Sequence, residues 1–399
     1  MKKQNVKISC RKAGIALLWS LALTILVGCS SSNSASEDTS TFDPNRNYFP
    51  DRVSIDHAIG FDVVYHNHWK ELQLLRHYND FVDTVSFALV QRGTPNPDGF
   101  EATRTIQIPV EKVGSLSTTH LGMFQMLDAL DHLKGVETAS YISSDEVRAL
   151  VNQQKITELA PAGTLNTELV LASEIEVLMG VGYPNSQNDS YQELENAGIP
   201  VLLNADWQEL DLLGRAEWVK MIALLLNREK EVNEAFAEIE QEYNEVLQLV
   251  EQKETEGPMT ITGMVQGDAW FVSGGKSFGY HVLKTAKVQY PWSDDTSTGS
   301  LKLDFETVYE YGLKSDYWMV PGSAKTLEEI LQRDSRFKDF KSYQDKNIYN
   351  IYGRYTEGGG NDYYESGIVN PHIILKDVVR IFHPELLPDH ELVYYARLK

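Results

Sequence analysis

Two short stretches place reactive side chains at suggestive spacing. His66-Asn67-His68 puts two imidazoles two residues apart, which on a strand would share one face and could clip a metal ion. No carboxylate or cysteine stands at ligand spacing beside them, so a surface strand is the reading these types favour. The stretch SGGKSFG, residues 273–279, comes near a phosphate loop, but the G-x-x-x-x-G-K-[ST] spacing needs glycine where Trp270 stands. Its glycines would let a backbone approach a ligand, or make a plain turn. There is no nucleophile elbow, no H-E-x-x-H, and acidic residues are too numerous for one pair to stand out. A triad is not local in sequence, so a secreted α/β hydrolase stays a rival of another class.

Aromatic residues carry the stronger signal. Tyr141, Tyr183 and Trp207, then Trp270, Phe271 and Trp292, then Tyr355, Tyr363 and Tyr364 fall in segments that follow expected strands. Several sit beside Gly, Asp or Ser, where rings would line a cleft and suit a large, flat or partly aromatic ligand. His120 and His281 each follow the first strand of a half, where α/β sheets bind ligands; each is a contact or a satisfied structural histidine.

The elements that must position these groups read clearly. Residues 51–110 alternate as strands with turns such as TPNPDG. From Lys112 the rhythm becomes βαβ: KVGSLS, THLGMFQMLDALDHL, GVETAS, NTELVLAS, EIEVLMG, SYQELENAG and IPVLLN alternate as strand and helix. After Pro258 it restarts with MTITGMV, helix GYHVLKTA, strand VQYPW, helix DFETVYEYG, strand DYWMVPG, helix TLEEILQRD and strand KNIYNIY, and closes on helix PHIILKDVVRIF. Between the halves, Leu213–Glu254 reads as one amphipathic helix, with Trp218, Met221, Ile222, Leu225, Val232, Phe236, Ile239, Tyr243, Val246 and Val250 on a drifting stripe. Drift from strict heptads argues for a strut across both halves, not a coiled coil. The expected architecture is therefore α/β: two βα lobes with mostly parallel sheets, over 51–212 and 255–399, joined by a single long backbone helix over 213–254. One layout recurs: NTELVLASEIEVLMGVG and DFETVYEYGLKSDYWMVPG place Glu168 and Glu306 alike, each at the start of a short helix.

The first residues set the compartment. Lys2, Lys3, Lys7, Arg11 and Lys12 precede the apolar run Ile15–Val27, which is too short to span and reads as a secretory signal over 1–28. The run ends in LVGC at Cys29. Residues 29–50 are polar, without periodicity, and read as a disordered tether. The only other cysteine is Cys10, so the processed chain forms no internal disulfide. A formal charge of −21, deepened when the signal's cations leave, argues against nucleic acid and a polybasic membrane patch as partners.

LVGC resembles the lipobox of bacterial lipoproteins, in which Cys29 would be lipidated. With VGSLSTTHLGM, NAGIPVLLNADWQELDLLGRAEWVK, FVSGGKSFGYHVLKTA and GIVNPHIILKDVVRIFHPEL, the chain resembles the class III substrate-binding lipoproteins of ABC importers, and looks closest to Bacteroidetes-type members. The resemblance covers nearly all of the processed chain. It implies a lipid-anchored, non-enzymatic receptor on the periplasmic side of a membrane, with no permanently bound cofactor. Its ligand would be an iron(III)-siderophore or haem, with cobalamin as the alternative, held between stiffly joined lobes and delivered to an ABC permease dimer with its ATPase. Members that hold a bare metal ion gather His and carboxylates at the cleft, a set not assembled here, so a chelated iron or cobalt is expected with no direct metal ligand. Contacts are expected from Thr119, His120 and Tyr141 and from Trp270, Phe271, Tyr280 and Trp292. Glu168 and Glu306 match the carboxylates that members present to permease arginines. Cys29→Ser should move the protein from the membrane fraction to the soluble fraction; continued pelleting with membranes would refute lipidation.

Overall fold

The computed structural model describes residues 42–78, 81–182 and 188–399. The signal, Cys29, most of the tether and Tyr183 lie outside the described residues. The end of the expected tether is not loose. Phe49 is buried, and Phe42 meets the His68 ring edge-on at 4.8 Å. Apolar rings at these positions gain more from covering the first sheet than from water.

That sheet is an antiparallel meander, β1 (Phe61–Tyr65), β2 (Trp69–Tyr78) and β3 (Phe81–Gln91), with β4 (Thr105–Ile108) added parallel to β3. Then follow β5 (Val113–Ser115), α1 (Thr118–Met126), β6 (Leu133–Val136), α2 (Asp145–Asn152), β7 (Thr157–Glu158), α3 (Thr167–Ala172), β8 (Val177–Val181), α4 (Asn188–Asn196) and β9 (Val201–Asn204). These five strands run parallel in the order β7-β6-β5-β8-β9. The order reverses between β5 and β8, so a crevice opens at their carboxyl ends.

The expected single helix over 213–254 is instead three: α5 (Leu212–Glu217), α6 (Val219–Leu226) and α7 (Glu229–Glu251). Every residue of α6 is buried, whereas α7 is amphipathic and buries Val232, Phe236, Tyr243, Val246 and Val250. Asn227 breaks the run in a left-handed conformation at φ 53°.

The second half comprises β10 (Thr260–Thr262), β11 (Met264–Gln266), β12 (Ala269–Ser273), α8 (Phe278–Thr285), β13 (Ser300–Leu303), α9 (Phe305–Gly312), β14 (Tyr317–Met319), α10 (Leu327–Arg333), α11 (Lys341–Gln344), β15 (Ile348–Asn350), α12 (Pro371–Phe382) and β16 (Ala396–Arg397). β10, β14 and β15 run parallel, and β16 closes the edge antiparallel. β11, β12 and β13 form a separate antiparallel sheet that the βα reading did not foresee. VQYPW makes only a bridge at Gln289 and then turns. The recurring layout is real: Asn166 caps α3 through the Leu169 N–H at 3.1 Å, and Asp304 caps α9 through Thr307 at 2.7 Å.

The break at Asn227 is held by a residue far away in sequence. Lys70, fully buried on β2, donates from Nζ to the Leu224 carbonyl and to Asn227 Oδ1, both at 2.9 Å, and pairs with Glu229 at the start of α7. Its ammonium also lies 4.6 Å from the Phe49 ring centre. Burial lowers its pKa to about 8 against the upward pull of Glu229. One cation thus satisfies the end of α6 and the first turn of α7, where carboxylates and free carbonyls meet. Lys70→Ala leaves Glu229 buried and unpaired and should cost about 3–5 kcal/mol in urea unfolding, whereas Lys70→Met with Glu229→Leu should recover most of it. Equal loss in both variants would contradict the pairing.

Candidate functional site

Loops follow the carboxyl ends of strands in both halves, and 137–144 meets 351–366, with Gly360 against the Ile142 carbonyl. From the first half come residues 116–118 after β5, 137–144 after β6 and 205–211 after β9; from the second come 274–277, 320–326 and 351–366. The halves are locked at one side. Glu365 is fully buried, and its carboxylate accepts the N–H groups of Ser143 at 2.6 Å and Ser144 at 3.0 Å. Its own carbonyl lies where a side chain at position 122 would stand, so only glycine in α1 allows the approach. Beside this junction is a polar pocket of about 550 Å³, with Ser143, Ser144 and Asp145 on one wall and Arg354, Asp362 and Ser366 on the other. Arg354 pairs with Asp362 at 3.1 Å.

The expected contacts divide. Tyr141 is 57 % exposed and lines a small hollow with Ser117, Thr118 and Thr138. Thr119 sits in the first turn of α1, with its hydroxyl 3.0 Å from Ser117 Oγ and hydrogen-bonded to the Asp206 carboxylate. Tyr280 stacks on Tyr290 at 5.1 Å, and Trp292 meets Tyr290 edge-on at 5.4 Å, so these two belong to one row of rings. Phe271 is half-buried and points away from Trp270 along β12.

Two residues do not face the cleft. Trp270 has no exposure, donates from Nε1 to the Thr262 carbonyl at 3.0 Å and packs among Trp318, Phe337 and Phe340. Its ring is core because the antiparallel β11-β12-β13 sheet turns that face inward. His120 is 1 % exposed; its Nδ1 is 2.9 Å from Ser115 Oγ, and burial pushes its pKa down to about 3. With its Nδ1 met by Ser115, it sits as a buried structural histidine. His281 is half-buried, its pKa lowered mainly by burial.

Two motifs resolve structurally. In SGGKSFG, a side chain at Gly274 would meet the Ser297 carbonyl at 2.5 Å, and one at Gly275 would overlap the Asp295 carbonyl. The glycines serve contact between two loops, while Ser277 caps α8 through the Tyr280 N–H at 3.3 Å. His66 stacks on Trp69 at 3.8 Å, and no cluster of three His, Cys, Asp or Glu suited to a metal occurs among the described residues. Glu168 and Glu306 are both exposed, each in the first turn of its capped helix.

Sequence reasoning missed Glu365 and the cluster of Asp206 with Arg215. Neither stands in a motif, and each draws its meaning from an element distant in the chain. Trp207, Tyr355 and Tyr364 were visible as loop aromatics; their exposures of 36, 37 and 43 % put them on the surface of loops after β9 and β15.

Two α/β halves bridged by helices, with a cleft at the carboxyl ends of their strands, define a solute-binding architecture. The chain belongs to the periplasmic binding protein family, whose model matches residues 113–355. It is similar to an uncharacterized lipoprotein of Methanocaldococcus jannaschii, 22 % identical over 341 residues, covering 80 % of this chain and 78 % of the relative. Among solved structures it resembles CeuE of Helicobacter pylori with Ni(II) bound, at TM-score 0.54 and 16 % identity over 72 % of this chain and 92 % of that one. It also resembles the periplasmic haem-binding protein HutB of Vibrio cholerae, at TM-score 0.51 and 18 % identity over 66 % and 97 %. The sheet β1–β4 precedes the matched region.

Burial, reinforced by Asp362, pushes the Glu365 carboxyl up to about 7, against the N–H groups of Ser143 and Ser144 and the Arg148 charge. The folded state then holds this proton more tightly than the unfolded chain. Its contribution to stability is full below the ordinary carboxyl range and is lost as pH rises through about 7. Relative to Glu365→Gln, the wild type should lose up to about 1.4 kcal/mol per pH unit between roughly pH 5 and 7 in urea melts. Parallel profiles for the two proteins would contradict it.

Proposed function

We propose that this protein is a lipid-anchored receptor that binds a metal chelate in the cleft and delivers it to an ABC permease. An iron(III)-siderophore or haem is the ligand first expected, and cobalamin is the alternative. The observation that carries this reading is the set of exposed rings Tyr141, Trp207, Tyr355 and Tyr364 on loops from both halves. Such rings bury much area at little entropic cost and suit a bulky, rigid ligand. Membership of a solute-binding family, and iron, haem or nickel complexes among structural neighbours, support it. Glu168 and Glu306, exposed on matching helices, are the proposed docking carboxylates. Like charges set apart on two similar halves would orient the receptor and speed encounter more than they strengthen it.

Titration of the purified protein with ferric siderophores, haem and cobalamin should quench tryptophan fluorescence with one of them, and Tyr141→Ala should weaken that binding about tenfold. In vesicles reconstituted with the permease, Glu168→Ala with Glu306→Ala should slow uptake while leaving ligand affinity unchanged. No quenching by any chelate would remove the receptor reading; normal uptake by the double variant would remove the docking role.

A further inference from the structure

Three buried polar atoms near the carboxyl end of β9 have no hydrogen-bond partner among the described residues: Nδ2 of Asn204, Oδ2 of Asp206 and Nε of Arg215. Their residues are 1, 4 and 8 % exposed. Polar atoms stripped of water and left unpaired are costly, so three in one place call for a partner. They are mutually tied. The Asp206 N–H donates to Asn204 Oδ1 at 2.7 Å, and both the Arg215 charge and the Thr119 hydroxyl act on the Asp206 carboxylate. The second half reaches the same spot: the Phe278 ring lies 4.6 Å from the Arg215 guanidinium, and Tyr363 feels its charge. The trio therefore sits where first-half loops meet second-half rings, beside the surface ring of Trp207.

The chemistry of the free atoms is specific. Arg215 Nε and Asn204 Nδ2 each offer a hydrogen and need an acceptor, while Asp206 Oδ2 carries lone pairs that need a donor; burial pulls its carboxyl pKa up against the Arg215 charge and the Thr119 hydroxyl. A carboxylate supplies acceptors alone and leaves Asp206 Oδ2 without a donor. A simple cation leaves both donors unmet. An amide supplies a carbonyl and an N–H within one rigid group. We propose that Asn204, Asp206 and Arg215 anchor an amide of the ligand, so that the cargo is an amide-bearing metal chelate, a corrinoid or a peptide-based ferric siderophore, in preference to haem. This rests on the cleft being the chelate site, as read above.

The test titrates the full-length protein in detergent with cyanocobalamin, a cyclic-peptide ferric hydroxamate and haemin. One amide-bearing chelate should bind at least tenfold more tightly than haemin. Asp206→Ala and Asn204→Ala should each weaken that chelate tenfold or more. Should either variant melt early, Asp206→Asn keeps the shape but replaces one acceptor oxygen with a donor, and should also lose affinity. Haemin binding as tightly as the better amide-bearing chelate, or unchanged affinity in the variants, overturns the amide anchor and leaves water as the trio's partner. Binding of none of the three overturns the receptor reading beneath it.

Discussion

The two hydrogen bonds from Ser143 and Ser144 to the buried Glu365 carboxylate fix the relation of one half to the other. The loop they hold also carries Tyr141, so the rim of the cleft is set by the same contact. Around it, Gly360 lies against Ile142 and Ser143, and α12 lies along α7. Contacts of this kind oppose the swing open to lobes joined by free hinges. A cleft formed before its ligand arrives, as the proposed function requires, would favour a rigid cargo over one that must be enclosed.

Glu365 is one case of a device used throughout the fold. Glu217 accepts the N–H groups of Asp56, His57 and Ala58, and Glu209 those of Ile59 and Gly60 together with the Trp218 indole at 2.9 Å. Asp377 gathers Val393, Tyr394 and Tyr395 with His390. Each carboxyl group meets main-chain donors of a segment that has no strand or helix to satisfy them. The acidic composition thus has an interior role as well as a surface one.

The sequence made the βα rhythm, the repeated layout and the apolar stripe of the central helices legible, because each is a local period. It left the break at Asn227 hidden, because the Lys70 that bonds to it arrives from β2, far away in sequence. Trp270 misled for the same reason: its neighbours Gly and Asp suggested a loop, while pairing with β11 and β13 turned the ring into core. His120 could not be assigned from position alone, since Ser115 five residues earlier satisfies it. Thr119, Tyr141, Tyr280 and Trp292 were singled out because loop aromatics and strand ends are where clefts form, and they stand as proposed contacts. Asp206 and Arg215 were not, since their meaning lies in what each lacks as a partner.

The central claim is a chelate bound in a cleft that is already formed. Spin labels at Glu193→Cys in α4 and Lys338→Cys, just beyond α10, report the separation of the halves while tryptophan fluorescence reports binding. The account predicts quenching by a metal chelate with the mean label distance unchanged to within about 2 Å. Quenching accompanied by closure of roughly 5 Å or more, as in hinge-closing binders, would contradict it, and so would the absence of quenching.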